Sequence, residues 1–318
     1  MNEILAILLS ERPLFITSEG YRQMVMAVLP YMKPSDAAEL PKVKSFFLES
    51  PTYKEECDKA VVKLQQLIKA NDSTKAIEIT NDFENQELPS DTIAYHRVKG
   101  FITGDSRWCF SSKQLEQDLL AAERNPQICA HLLHINSSGG EAWYMDRLSE
   151  TLRSLAKPVL TLCEGCMASA AYYIGCHGRK VYAVTTGDFI GSIGTMVSFH
   201  DFEPYYASLG IKLIEAKADK SDLKNKMADN LIAGKPKQYI DEVLNPINEE
   251  FLAEVRSQRK ALASTDQDHP VLRGEVYLTA RAQEVGLIDG TRTFPEAVAE
   301  LMSMVTGSRE MSFILDHV

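Results

Sequence analysis

From Ile93 onward the sequence alternates short apolar runs with amphipathic segments, and this alternation constrains the fold more than any other feature. IAYHRVKGFIT reads as a strand with a glycine at its bend, and KQLEQDLLAAERN as an amphipathic helix ended by Pro126. ICAHLLHIN is a strand and GEAWYMDRLSETLRSLA a helix. PVLTLCEG is a strand, ASAAYYIGC a helix and KVYAVT a short strand. GTMVSFHDF, helical EPYYASLG and the strand IKLIEAK follow. Strands separated by helices of roughly 10–15 residues imply βαβ units and a mostly parallel sheet. After Ser221 come long polar helices, then EVYL, ARAQEVGLIDG and the helix FPEAVAELMSMV.

The N-terminal portion has a different texture. Residues 1–70 read as helical: Ser18 can cap EGYRQMVMAVL, which Pro30 ends, and Val61, Leu64, Leu67 and Ile68 recur at helical spacing. Residues 71–92 are polar, contain Pro and Asn, show little periodicity and read as a linker. The expected organisation is a helical region (1–70), a linker (71–92), an α/β domain (93–305) and a tail (306–318).

Composition narrows the function. A formal net charge of −10 argues against nucleic acid as a partner, because phosphate binding needs clustered Lys and Arg. No apolar run approaches the roughly 20 residues of a membrane helix. The opening MNEILAILLSERPLF lacks a basic n-region, so neither a signal peptide nor a membrane anchor is expected, and the location expected is cytoplasmic. The six cysteines are scattered, as free thiols in a reducing compartment are. Cys163-Glu-Gly-Cys166 is a lone CxxC ending an apolar strand, which reads as buried small residues rather than a metal or redox site. No metal and no cofactor are expected.

Two glycine-containing or small-residue turns follow strands in succession. In HINSSGGE (134–141) consecutive glycines let backbone N–H groups point outward at a strand-to-helix turn, as an oxyanion clamp requires. In EGCMASAAYYIG (164–175) Ser169 sits among Ala168, Ala170 and Ala171, at the carboxyl end of a strand where ligands of α/β sheets bind. GxSxG is absent, so Ser169 is not an α/β-hydrolase nucleophile. Candidate bases are a lysine of AKADKSDLKNK (Lys217, Lys220, Lys224 or Lys226) or His200 in MVSFHDF. A lysine base needs a lowered pKa, and a histidine base needs an orienting carboxylate. Spacing alone leaves both open.

INSSGGEA, EGCMASAAYYIG, TGDFIGSIGTM, IKLIEAKADKSD and GEVYLTARAQEVGLIDG resemble, in order and approximate spacing, the SppA-like signal-peptide-peptidase family of serine–lysine proteases. The resemblance spans roughly residues 90–300. It implies an α/β, ClpP/crotonase-like fold of repeated ββα units in a superhelix, beside the helical N-terminal region. It maps the nucleophile onto Ser169, the oxyanion donors onto the N–H groups of Gly139 and Ala170, the general base onto Lys220, and a lysine-supporting serine onto Ser192. The glycine that relatives often carry near the lysine is lacking, so Lys217 stays open as base, and His200 stands where ClpP-type relatives have their histidine. The missing anchor and LLSERPLFITSEGYRQMVMAVL resemble the cytoplasmic phage and prophage head-maturation branch, which implies capsid or scaffold proteins as substrates and a homo-oligomer with sites between protomers. The alternatives are a ClpP-like Ser-His peptidase, a non-catalytic assembly protein on a protease fold, and a crotonase-like acyl-CoA enzyme using Glu141 or Glu164.

Overall fold

The computed structural model describes residues 14–16, 52–106, 109–198, 203–208, 210, 212 and 214–316. Its elements begin with β1 (Leu14–Ile16), α1 (Tyr53–Lys69), β2 (Ile79–Thr80), β3 (Thr92–Lys99), β4 (Ile102–Thr103), β5 (Phe110–Ser111) and α2 (Ser112–Arg124). β6 (Ile128–Ser137), β7 (Gly139–Glu141), α3 (Met145–Ser154), β8 (Val159–Ala168), α4 (Ala170–Gly175), β9 (Lys180–Ala183) and β10 (Phe189–Gly191) follow. The remainder holds α5 (Glu203–Ser208), α6 (Lys226–Ile232), α7 (Asn245–Gln258), β11 (Val276–Leu278), α8 (Thr279–Glu284), β12 (Gly290–Thr291) and α9 (Phe294–Asp316).

The main sheet runs β11-β10-β8-β6-β3-β2, with β9 joining β8 to β12. Every pair is parallel except β10–β11. β6 and the first half of β8 are buried along nearly their whole length, as strands covered on both faces are. Alternation then sorts side chains to two cores. Leu133, Ile135, Cys163 and Met167 join α3, α4 and α7 on one face. Leu132, Leu160 and Leu162 join Ile68 of α1 and Phe294, Val298 and Leu301 of α9 on the other. A smaller sheet, β1-β7-β4-β5, lies beside these layers.

β8 changes neighbours midway. Leu160–Cys163 pair with β9, whereas Cys166–Ala168 pair with β10. The split falls at Glu164–Gly165, where Gly165 takes a φ of +105°. Asp188 pins the two branches together: its carboxylate accepts from the N–H groups of Gly165 (3.0 Å), Val184 (2.9 Å) and Thr185 (2.9 Å), and from Thr185 Oγ1 (2.6 Å).

Several expectations change here. Leu14–Ile16 is a strand within the region expected to be helical, because the open edge of β7 supplies a backbone partner that outweighs local propensity. α1 forms as expected, with Thr52 and Glu55 closing a capping box, but it packs against the sheet. Ser18 and EGYRQMVMAVL lie outside the described residues. Residues 71–92 are built into the domain rather than spanning a gap: β2 extends the main sheet, Phe83 is buried, and Asn125 Nδ2 donates to Phe83 O (3.0 Å) and Asn85 O (2.8 Å). The strand expected in IKLIEAK is not formed among the described residues of 212–218, where Ile214 is 89% exposed and no neighbouring strand offers a ladder.

One ion pair ties the helical layer to the sheet. Arg259, just past α7 and 7% exposed, donates from Nη1 to Asp289 Oδ2 (3.0 Å), from Nη2 to Asp289 Oδ1 (3.3 Å) and from Nε to Gly286 O (3.2 Å). Asp289 Oδ2 also accepts from Val181 N–H at 2.7 Å. Burial alone pushes the Asp289 carboxyl up, but the Arg259 and Val181 donors outweigh it and hold it below its ordinary value. Asp289→Asn leaves a buried guanidinium without its counter-charge and should lower stability by about 3 kcal/mol at pH 7. A carboxyl lowered by folding stabilises above its unfolded pKa and loses that contribution as pH falls through the folded one. Urea denaturation should therefore show the gap between parent and variant narrowing below about pH 4.

Candidate active site

The site is built where β6, β7, β8 and β10 converge. Ser137 pairs with Met167, so the residues that follow each, Ser138–Gly139 and Ala168–Ser169, emerge side by side. Glycine is required twice in this turn. Gly139 has a φ of +102°, and a Cβ on Gly140 would lie 1.9 Å from Ile102 O. These constraints explain the GG pair of HINSSGGE. They also correct its reading: Gly139–Glu141 is a strand, and the following helix starts only at Met145, because Gly140 is drawn into register with Ile102. The Gly139 N–H donates to Ser137 Oγ at 3.1 Å, and Ser137 Oγ donates to Gly100 O at 2.6 Å.

Ser169 is the residue between β8 and α4, rather than a turn inside a helix, since β8 continues through Ala168 by pairing with β10. Its backbone is at φ 56°, ψ −121°, a conformation that L-residues rarely adopt. The turn is held from both sides, by Ser169 N–H to Gly191 O (2.9 Å) and by Tyr173 N–H to Ser169 O (2.9 Å). Strain of this kind costs on the order of 1–3 kcal/mol and persists only where the surroundings enforce it. Ser169 is fully buried, and its Oγ has no hydrogen-bond partner among the described residues. Ala170 is the first residue of α4, so its N–H has no carbonyl to reach within the helix.

The other predicted residues lie as follows. Ser192 directly follows β10, is half-buried with a φ of 53°, and donates its N–H to Glu275 O at 2.8 Å. It lines a cleft of about 660 Å³ with Thr195, Leu244, Asn248 and Val276. Lys220 is exposed, on the short 3-10 turn Asp219–Ser221, and is not brought to Ser169. Lys217 Nζ donates to Lys224 O (2.7 Å) and lies 3.5 Å from Asp229 Oδ2. His200 lies outside the described residues.

Glu141 is buried and accepts from Gly104 N–H at 2.8 Å, while Glu164 Oε2 lies 2.9 Å from His134 Nε2, whose hydrogen bond lowers the Glu164 pKa. Both carboxylates are thus engaged. Burial pushes the Cys163 thiol well up and that of Cys166 to about 11, which disfavours the thiolate a metal or redox site uses. Asp188, which pins the β8 fork below Ser169, was missed as a positioning residue; the Asp in the turn TTGDFIG was its available signal.

Comparisons with known proteins bear on this arrangement. Residues 151–306 match the model of peptidase family S49, and residues 95–188 match that of Clp protease. No curated protein sequence matches the chain. Among solved structures, a ClpP1 mutant from Listeria monocytogenes is similar at 13% identity, covering 64% of this chain and 94% of that one, with a TM-score of 0.40. A member of the enoyl-CoA hydratase/isomerase family is similar at 12% identity, covering 70% and 73%, also with a TM-score of 0.40. The two matches, each to a peptidase family, overlap across β8, Ser169 and α4.

Proposed function

We propose that the chain is an endopeptidase whose nucleophile is Ser169 and whose general base is Lys220. The observation that carries the reading is the enforced strained turn at Ser169, beside the glycine turn of β7, with an Oγ that bonds to none of the described residues. In the reaction neutral Lys220 takes the Ser169 proton, Oγ attacks a peptide carbonyl, and the protonated lysine gives that proton to the departing amine as the C–N bond breaks. Water, losing a proton to Lys220, then hydrolyses the acyl-enzyme, with the proton returned to Ser169 Oγ. The Ala170 N–H, and that of Gly139 once it leaves Ser137 Oγ, hold the oxyanion. Each such donor is worth about 3–4 kcal/mol in known hydrolases.

Lys220 reaches Ser169 from a neighbouring protomer. Its segment is exposed and flanked by apolar side chains in water: Ile214 is 89% and Leu223 75% exposed. On the edge of the main sheet Phe189 and Leu278, directly opposite one another, are 53% and 50% exposed. Such surface fits subunit contacts. Burial in that contact also supplies the desolvation a lysine base requires. Ser192 then supports the incoming lysine. Substrates are extended polypeptides with small or apolar residues before the cut. The physiological setting proposed is cytoplasmic head maturation in a phage or prophage, acting on scaffold or capsid proteins; among the described residues no helix is long and apolar enough to cross a membrane.

Ser169→Ala and Lys220→Ala should each reduce hydrolysis of an unfolded protein substrate by at least about 10³-fold. Mixing the two inactive variants after dissociation and reassembly should restore part of the activity, since a shared site then receives one intact serine and one intact lysine. No recovery, with assembly verified by sedimentation, contradicts delivery between protomers. Ser169→Gly should be inactive yet about 1 kcal/mol more stable than Ser169→Ala in guanidinium denaturation, because glycine adopts the turn without strain.

A further inference from the structure

β7 has two edges. One pairs in parallel with β4, through Gly140 and Ile102. The other is taken by β1 in antiparallel register, with Leu14 opposite Glu141, Phe15 opposite Gly140 and Ile16 opposite Gly139. β1 is the end strand of its sheet and only three residues long. A sheet edge of this kind accepts any extended peptide through main-chain hydrogen bonds.

The position and direction of β1 are those of a polypeptide approaching Ser169. Gly139 and Ser169 emerge side by side from the paired residues Ser137 and Met167. Because β1 runs antiparallel to β7, its chain travels from Glu141 towards Gly139 and so arrives at Ser169 with its C-terminal end. Residues on the N-terminal side of a scissile bond would take this path, bringing the carbonyl that follows them to Oγ. Ser169 is meanwhile fully buried.

We infer that Leu14–Ile16, paired on the β7 edge, is an internal competitor that a polypeptide approaching Ser169 must displace. This rests on the reading of Ser169 as nucleophile. A three-residue ladder is a locally weak element that opens without global unfolding, which suits a reversible occupant.

The test uses the full chain carrying Phe15→Pro and Ile16→Pro together, since proline removes the N–H and is not accommodated within a ladder. The control is Phe15→Val with Ile16→Val, which keeps β-propensity. With a short apolar fluorogenic peptide, the proline variant should show a KM about tenfold or more below the parent's, the reciprocal of the parent's open fraction, at unchanged kcat. The valine variant should match the parent. An active proline variant with the parent's KM overturns the inference. Amide hydrogen exchange supplies a readout independent of catalysis: β7 amides should exchange faster in the proline variant while β6 and β8 stay protected. Equal β7 exchange in parent and proline variant also overturns it. If neither form hydrolyses the peptide, the peptidase reading fails, and exchange alone decides whether β1 holds the edge.

Discussion

The structure depends on a single backbone event, the change of neighbour along β8. A strand that kept one partner would run past the sheet edge and leave no turn. Here the first half is bound to β9 and the second to β10, and Gly165 opens the fork between them. Asp188 locks the fork with two carboxylate oxygens shared among three backbone N–H groups and a hydroxyl. The second half of β8 is thereby aimed so that Ala168 pairs with Gly191, and the Ser169 N–H reaches the Gly191 carbonyl. The strained turn at Ser169 is the consequence, since the surrounding bonds leave that residue no relaxed alternative. The nucleophile proposed at Ser169 is thereby held beside the β7 turn without reorganisation.

Much of this was legible in the sequence, for physical reasons. The parallel sheet announces itself because strands buried on both faces must be continuously apolar, as ICAHLLHIN and PVLTLC are. Ser169 stood out because small residues surround it where close packing otherwise favours Leu or Ile. The GG pair was legible as a backbone requirement, but its secondary structure was not. Gly139–Glu141 is a strand only because Ile102 lies alongside, and that partner is distant in sequence. The same limit explains Leu14–Ile16, whose partner is also β7, and residues 71–92, where β2 depends on β3. Conversely IKLIEAK has the pattern of a strand but lacks a neighbour among the described residues. Pairing partners, rather than propensity, decide these short segments.

The candidate base divides along the same line. A chemical role for a lysine in ADKSD follows from the resemblance, yet among the described residues nothing buries Lys220 or brings it to Ser169. The exposed apolar side chains around it make assembly the natural source of both burial and proximity. Under this proposal an isolated protomer is silent, because Ser169 is buried and the proposed base stands in water. The proposal makes activity a property of an oligomer, and the inferred role of the β7 edge is a place where a substrate chain competes with the protein's own.

The most direct measurement is intact-protein mass after exposure of the assembled protein to a serine-reactive fluorophosphonate, for the parent and for Ser169→Ala, Lys220→Ala and His200→Ala. The account predicts one adduct on the parent, lost in Ser169→Ala and Lys220→Ala and retained in His200→Ala. An adduct that survives Ser169→Ala would contradict the assignment of the nucleophile, and one that survives Lys220→Ala but not His200→Ala would replace the lysine base with a histidine.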